Sequence, residues 1–205
     1  SERIHKPADL SGATIGLKHM SIAQFYLEQF LVFHDVPPQE VTTREISLEK
    51  APQALASNRI DAVLIFEPYL EDVLETLNQD TVIFPAQQEQ DLFWVLLGSK
   101  GRVSQNPDII RSFLVSLLEA EKFIRENTEE AEEMLAADLG LEDLSLKRYT
   151  FDLSLDQPLI LTMENEARWI KKHLFKGREK IPNFLRYIHF ESLQEINPQG
   201  VTIIH

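Results

Sequence analysis

The stretch that decides the fold is Ala54-Leu55-Ala56-Ser57-Asn58-Arg59-Ile60-Asp61-Ala62-Val63-Leu64-Ile65-Phe66-Glu67-Pro68-Tyr69. A short helix is predicted over residues 52–57, and Asn58 tolerates the left-handed conformation in which many helices end. Residues 60–66 are almost continuously apolar, which is typical of a parallel strand that is covered on both faces. Pro68 then presets the first turn of another helix. The stretch therefore predicts a helix, a buried strand and a second helix in succession.

Toward the N-terminus the alternation continues, with strands predicted over residues 14–17 and 41–46 and a helix between them. Ser21 stands at the N-cap position of this helix, which should end near His34. Its apolar face is formed by four residues at helical spacing: Ile22, Tyr26, Phe30 and Phe33. Strands that alternate with helices predict a parallel sheet with crossover helices.

Toward the C-terminus the pattern becomes helical. Residues 81–84 and 92–97 are further strand candidates, and Trp94 is expected in the core. After Gly98, three amphipathic helices are predicted to begin at Asn106, Thr128 and Asp156, and only residues 201–204 read as extended. Each helix needs a cover for its apolar side, and this half of the chain offers no sheet of its own.

The composition excludes several classes of function. The 205 residues carry a net charge of −13, which argues against a nucleic acid partner. Cysteine is absent, so disulfides and thiolate chemistry are excluded. The six histidines lack metal-ligand spacing, and no catalytic or nucleotide-binding motif is present. We therefore expect no catalytic residues, no metal and no cofactor.

The targeting signals are also informative. The apolar runs are far shorter than the roughly 20 residues that a membrane-spanning helix needs. The chain opens on Ser1 without a basic region and an apolar stretch, so we expect a mature or excised piece.

The first candidate site is the connection from the strand 14–17 to the helix that follows it. Free N–H groups and the positive end of the helix dipole should lie near His19, Met20 and Ser21, which suits an anion. The alternative is that Ser21 merely caps its own helix.

The second candidate site follows the buried strand 60–66. Glu67 stands past its carboxyl end, where open α/β sheets place their ligands, with Phe66 and Tyr69 as flanking rings. Glu67 is equally well explained as an acid in the first turn of a helix, and the two rings could simply pack.

Three segments resemble one known family. Pro7-Ala8-Asp9-Leu10-Ser11-Gly12-Ala13-Thr14-Ile15-Gly16 resembles the entry into the second lobe of the nitrate/sulfonate/taurine substrate-binding proteins, which include thiamine-pyrimidine-precursor binders. Residues 54–69 resemble the same family's block ALxxGxxDAxxxxEPY, with Asn58 in place of glycine and Phe66 in place of a frequent tryptophan. A strand over 93–98, then a helix from Pro107 to a break at Asn127, resembles the return to the first lobe.

The resemblance implies an α/β, periplasmic-binding-protein-like (type II) fold. Residues 9–91 would form one βαβ lobe, and residues 92–205 would form the helix-rich return segment of the other lobe, whose N-terminal part is lacking. The expected function is capture of a small anionic or heteroaromatic ligand by lobe closure outside the cytoplasm. The expected partners are an ABC permease or a membrane-anchored signalling protein, and a homodimer that covers the helices is a further candidate.

Two other classes share this fold. The effector domain of a LysR-type transcription regulator has a similar length, but it has two strand-rich halves, whereas this chain is helical after Gly98. An enzyme of pyrimidine-precursor synthesis would need a cysteine-rich motif that this chain does not have.

Overall fold

The computed structural model describes residues 4–66, 69–77, 81–87, 92–141, 144–146, 149–175 and 179–204. The chain divides into two compact units, Ser1–Leu92 and Phe93–His205. The first unit contains the parallel sheet, and the second is built mainly from helices.

The sheet of the first unit has three parallel strands in the order β2-β1-β3. The central strand β1, Thr14–Leu17, pairs with β2, Thr42–Glu45, from Thr14 opposite Thr42 to Leu17 opposite Glu45. On its other side β1 pairs with β3, Ala62–Val63. The expected crossover helices are present as α1, Ile22–Phe33, between β1 and β2, and α2, Ala51–Ala56, between β2 and β3. A third helix, α3, spans Tyr69–Thr76.

Helix α1 covers one side of the sheet. Its start and end are as predicted: Ser21 Oγ accepts the Ala23 N–H at 3.2 Å, and His34 is the C-cap. Its buried face is broader than the predicted stripe, and it includes Ala23, Phe25, Tyr26, Leu27, Phe30 and Leu31. Phe33 is exposed, because it lies in the last turn, where its ring contacts His34 rather than the core.

Two positions of this unit, Asn58 and Gly16, restrict which residue can be present there. Asn58 has a φ of 52°, so the predicted left-handed residue after α2 is confirmed. Gly16 lies in the centre of β1, where an added Cβ would stand 2.6 Å from Ile46 Cδ1 and 2.8 Å from Ile60 Cδ1. The glycine therefore permits two isoleucine side chains to close directly over the strand.

The strand predicted over residues 60–66 is shorter than expected. Only Ala62–Val63 is a strand, although backbone bonds to β1 extend from Asp61 to Leu64. Both strand residues are half-buried, since β3 pairs on one side only within the described residues. The predicted strand over 81–84 is also wrong. Phe84 instead packs against the core near Phe30, with ring centroids 6.2 Å apart.

The second unit contains five helices within its described residues. They are α4, Lys100–Gln105; α5, Pro107–Glu126; α6, Thr128–Leu139; α7, Gln157–His173; and α8, Glu191–Ile196. The predicted helix starts at Asn106, Thr128 and Asp156 are confirmed within a residue, and Asp156 accepts the Leu159 N–H at 3.2 Å. Gly140, with φ of 68°, ends α6. Helices α4 and α8 were not predicted, because six residues are too few to show a helical period.

Carboxylates of α5 and α6 hold the irregular segment that follows them. Glu121 accepts the Leu153 N–H at 3.0 Å, and Glu132 accepts the Leu146 N–H at 2.8 Å. Arg111 of α5 pairs with Glu195 of α8 at 2.7 Å. Residues 201–204 contribute an isolated parallel bridge between Leu155 and Val201. Glu132 therefore has a structural role in this segment.

The strand predicted over residues 92–97 is wrong, and so is the core position of Trp94. No strand is formed there, and Trp94 is 93% exposed and Leu97 86% exposed. A strand exists only when a neighbour accepts its backbone hydrogen bonds, and no described residue pairs with this segment. The apolar pattern of residues 92–97 is compatible with a strand, but none of the described residues pairs with it.

The apolar faces of the helices in this unit are only partly buried. No residue of α5 is fully buried, and Phe113 is 46% exposed. On α7, Ile160 is buried, but Ile170 and Leu174 are exposed, because the helix buries the side that carries Thr162 and Trp169. On the buried side, the Trp169 ring stacks on His173 with ring centroids 4.4 Å apart.

Candidate functional site

A cavity of about 670 Å³ opens in the first unit, at the end of the sheet where the strands finish. It is lined by residues that follow each strand: Lys18 after β1, Ile46 and Ser47 after β2, and Phe66 after β3. The start of α1 contributes Ser21, Ile22 and Ala23. This is the position in which parallel α/β sheets bind ligands.

The charge of the lining differs from that of the whole chain. Among the described residues, the lining includes four cations, Lys18, Arg44, Lys50 and Arg59, and two carboxylates, Glu45 and Glu49. The cavity is therefore locally positive in a chain whose net charge is −13. A concentration of cations in a concave site raises the local concentration of anions.

The donors at the start of α1 are engaged with acceptors of the same chain. Met20 donates its N–H to Gln24 Oε1 at 2.9 Å. Ser21 Oγ accepts from Ala23 and donates to the Lys18 carbonyl at 2.6 Å, and the Gln24 N–H donates to the Ser21 carbonyl. Ser21 thus lines the cavity and also caps its own helix. The positive character of the cavity comes mainly from its Lys and Arg side chains.

Glu45, the last residue of β2, holds the loop that follows β1. Its Oε2 accepts the His19 N–H at 2.6 Å, and its Oε1 lies 2.9 Å from Lys18 Nζ. The His19 N–H and the Lys18 ammonium both stabilise the charged form, so the pKa of Glu45 lies below its usual range. The Lys18 ammonium therefore already has an anion, the Glu45 carboxylate, beside it.

His19 and Met20 do not line the cavity. The His19 ring lies between two groups of β2, with Nε2 at 3.1 Å from Thr43 Oγ1 and Nδ1 at 3.3 Å from Glu45 Oε2. Met20 has a φ of 51° and a half-exposed side chain at the turn into α1. Both residues shape the loop that presents Lys18 and Ser21.

The two aromatic rings of the second candidate site contact each other. The Phe66 ring lines the cavity and is 53% exposed, and the Tyr69 ring meets it edge-on with centroids 6.3 Å apart. Tyr69 therefore packs against Phe66. Glu67 lies outside the described residues.

Sequence reasoning missed Arg44, Lys50 and Arg59. They come from β2, from the turn before α2 and from the residue that follows Asn58. The Arg44 guanidinium donates to the Arg59 carbonyl at 2.9 Å, which brings the two basic residues together. The available signal was the occurrence of basic residues beside two predicted strands, but no motif singled them out.

Other kinds of site find little support in the part of the chain that is described. No group of three or more His, Asp or Glu side chains is arranged there to hold a metal ion. None of the described helices has the length and hydropathy of a membrane span.

A family model described as NMT1/THI5 like matches residues 1–131, which is 131 of the 205 residues. The chain belongs to the NMT1/THI5-like family. The matched region contains the whole sheet, the cavity and the three segments on which the resemblance depended. The resemblance to the nitrate/sulfonate/taurine and thiamine-pyrimidine-precursor binding proteins is thereby confirmed. A search of curated proteins found no match.

Solved structures with this fold include two sulfonate-binding proteins. The periplasmic aliphatic sulphonate binding protein SsuA of Escherichia coli matches this NMT1/THI5-like chain with a TM-score of 0.73 and 18% identity, over 90% of this chain and 65% of that one. The alkanesulfonate-binding protein SsuA of Xanthomonas axonopodis pv. citri, bound to MOPS, matches with a TM-score of 0.62 and 18% identity, over 82% and 60%.

These matches establish the fold. The expected periplasmic-binding-protein-like α/β fold is confirmed, and the NMT1/THI5-like chain spans 60–65% of the length of the two solved proteins.

Proposed function

We propose that this protein binds a small organic anion in the cavity of its first unit, outside the cytoplasm. It would act as the substrate-binding component of an ABC importer or as the ligand sensor of a membrane-anchored signalling protein. The observation that carries the proposal is the cavity itself, which residues after the strand ends help to line and whose lining includes four cations. Capture by lobe closure and the absence of catalysis are part of the same proposal.

The lining also favours an anion with an apolar body. Phe66, Ile22, Ile46 and Ile60 present carbon surface to the cavity, and Lys50 and Arg59 present charge. A bare halide would leave that carbon surface wet, whereas an alkyl or aryl sulfonate or carboxylate would use both parts. The sulfonate class is our first choice, because two proteins of this fold are described as sulfonate-binding.

The position outside the cytoplasm is supported by the fold and the family. The Escherichia coli protein of this fold is periplasmic. The LysR alternative is less well supported, because the second unit shows five helices and a single isolated bridge in its described residues, rather than a second strand-rich half.

A thermal-shift screen of the purified chain tests the proposal. The probes are methanesulfonate, taurine, MOPS, nitrate, benzoate and an aminopyrimidine, each compared with sodium chloride at equal ionic strength. A ligand that binds only the native state raises the melting temperature. We expect the organic anions, with sulfonates first, to raise it more than chloride does.

Two variants give the screen a control. Lys50→Gln removes one cation from the lining, and Lys122→Gln makes the same charge change on α5, outside the cavity. The shift should be smaller in the first variant and unchanged in the second. Equal shifts in both variants, or no shift with any anion, would contradict the proposed function.

A further inference from the structure

The loop after β1 has an anion of its own bound to it. The Glu45 carboxylate reaches from the end of β2 to the His19 N–H at 2.6 Å and to the Lys18 ammonium at 2.9 Å. Its second contact with His19 is to the ring Nδ1 at 3.3 Å. One carboxylate therefore uses a backbone donor and the charged side chain of the loop together.

One of these groups, the Lys18 ammonium, is one that an anion bound in the cavity would also use. Lys18 and Glu45 both line the cavity, and a carboxylate or sulfonate binds strongly to a cationic donor. While Glu45 holds the Lys18 ammonium, an incoming anion meets a cation that is already paired and a negative charge beside it. Like charges within a few ångströms repel.

The surroundings of Glu45 make an exchange feasible. Side-chain exposure of Glu45 is 46%, so the carboxylate can turn toward water without leaving a buried charge. The other charged groups around the cavity are Arg44 beside it on β2, Glu49 and Lys50 in the next turn, and Arg59. Once Glu45 has turned away, these three cations and Lys18 outweigh the one remaining carboxylate, Glu49.

We infer that Glu45 is a built-in competitor that determines which anions this cavity accepts. A ligand gains the Lys18 ammonium only by displacing the Glu45 carboxylate from it. The cavity therefore selects anions whose several acceptor oxygens and apolar body together outweigh the loss of that ion pair, and it discriminates against halides. This inference rests on the proposed function, since it concerns the selectivity of the same cavity.

The test compares the wild-type chain with three variants. Glu45→Gln removes the charge and keeps the shape, and Glu45→Ala removes the acceptor as well. Glu75→Gln is the matched control, because Glu75 is exposed on α3 and does not line the cavity. Methanesulfonate and chloride are the probes, titrated by calorimetry at constant ionic strength, with circular dichroism to show that each variant is folded.

We expect Glu45→Ala to bind methanesulfonate most tightly, Glu45→Gln less tightly and the wild type most weakly. The removal of one unit charge at contact distance near water should raise the affinity by about three- to tenfold. Chloride affinity should rise at least as much, so the preference for methanesulfonate over chloride becomes smaller. Glu75→Gln should change either affinity by less than about twofold.

The outcomes separate the two claims. Tighter methanesulfonate binding by both Glu45 variants than by the wild type would support both the competitor role and the cavity. Equal affinities in the wild type and both Glu45 variants would overturn the competitor role and leave the proposed function standing. No binding in any of the four proteins would overturn both.

Discussion

Asp61 and Thr14 exchange two hydrogen bonds at the start of the sheet. The Asp61 N–H donates to the Thr14 carbonyl at 2.8 Å, and the Thr14 N–H donates to Asp61 Oδ2 at 2.8 Å. The aspartate of the family-like block thus joins β3 to β1 at the end of the sheet opposite the strand termini that line the cavity. Its role in this chain is structural, and it holds the register in which the cavity forms.

This pair leads to a prediction about stability. Asp61→Ala removes an ionised acceptor from a half-buried N–H, so we expect a loss of about 1.5–3 kcal/mol in the free energy of unfolding. Asp61→Asn keeps an acceptor and should cost less. Urea unfolding followed by circular dichroism measures both. Asp152→Ala, at an exposed loop position, is the control and should change stability by less than about 0.5 kcal/mol.

The left-handed residue after α2 gives a second prediction. Asn58 has a φ of 52°, which costs an alanine roughly 1 kcal/mol and costs glycine nothing in steric terms. Asn58→Ala should therefore lower the melting temperature, while Asn58→Gly, the residue of the family pattern, should leave it nearly unchanged. A loss of similar size in both variants would show that the side chain of Asn58, and not its backbone conformation, is what matters there.

The sequence predicted the parts of the fold whose signals are local. The strand β1 and the helix α1 were found because Ser21, the apolar spacing and the residues around Pro37 mark their limits within a few positions. The strands predicted over residues 81–84 and 92–97 are absent, because a strand also needs a pairing neighbour, which no local pattern reveals. The apolar residues of these two segments therefore lie outside the sheet.

The candidate site was predictable in part for a similar reason. Ser21 and Phe66 follow strand ends, and strand ends of a parallel sheet meet at one edge, so their joint appearance in the lining could be expected. The basic residues Arg44, Lys50 and Arg59 come from separate elements. Their convergence depends on the register of the strands and on the path of the turn after β2, and residue spacing predicts neither.

Tryptophan fluorescence provides a third prediction. The chain has two tryptophans, of which Trp94 is 93% exposed and Trp169 is buried. Acrylamide should therefore quench one red-shifted component efficiently and the other poorly. Trp94→Phe should remove the quenchable component, and Trp169→Phe should retain it. Protection of Trp94 in the wild-type chain would mean that its segment is covered in solution, as a homodimer or strand pairing would require.

A fourth prediction concerns pH. The pKa of Glu45 is lowered in the folded chain, chiefly by the His19 N–H and then by Lys18. Its contribution to stability is therefore fully present above the unfolded pKa of about 4.5, and it is lost as the pH falls through the lower folded pKa. Melting curves of the wild type and Glu45→Gln should differ at pH 7 and converge in acid. A constant difference at every pH would contradict the ion pair.

The central claim is that the cations of the first unit hold a small organic anion. Calorimetric titration of methanesulfonate into the wild type, into Lys50→Gln with Arg59→Gln, and into Lys122→Gln with Lys171→Gln tests it most directly. Both double variants change the net charge equally, but only the first pair lines the cavity. We predict saturable binding that weakens about tenfold or more in the first double variant and stays within about twofold in the second. Equal weakening in both, or no saturable binding in the wild type, would contradict the claim.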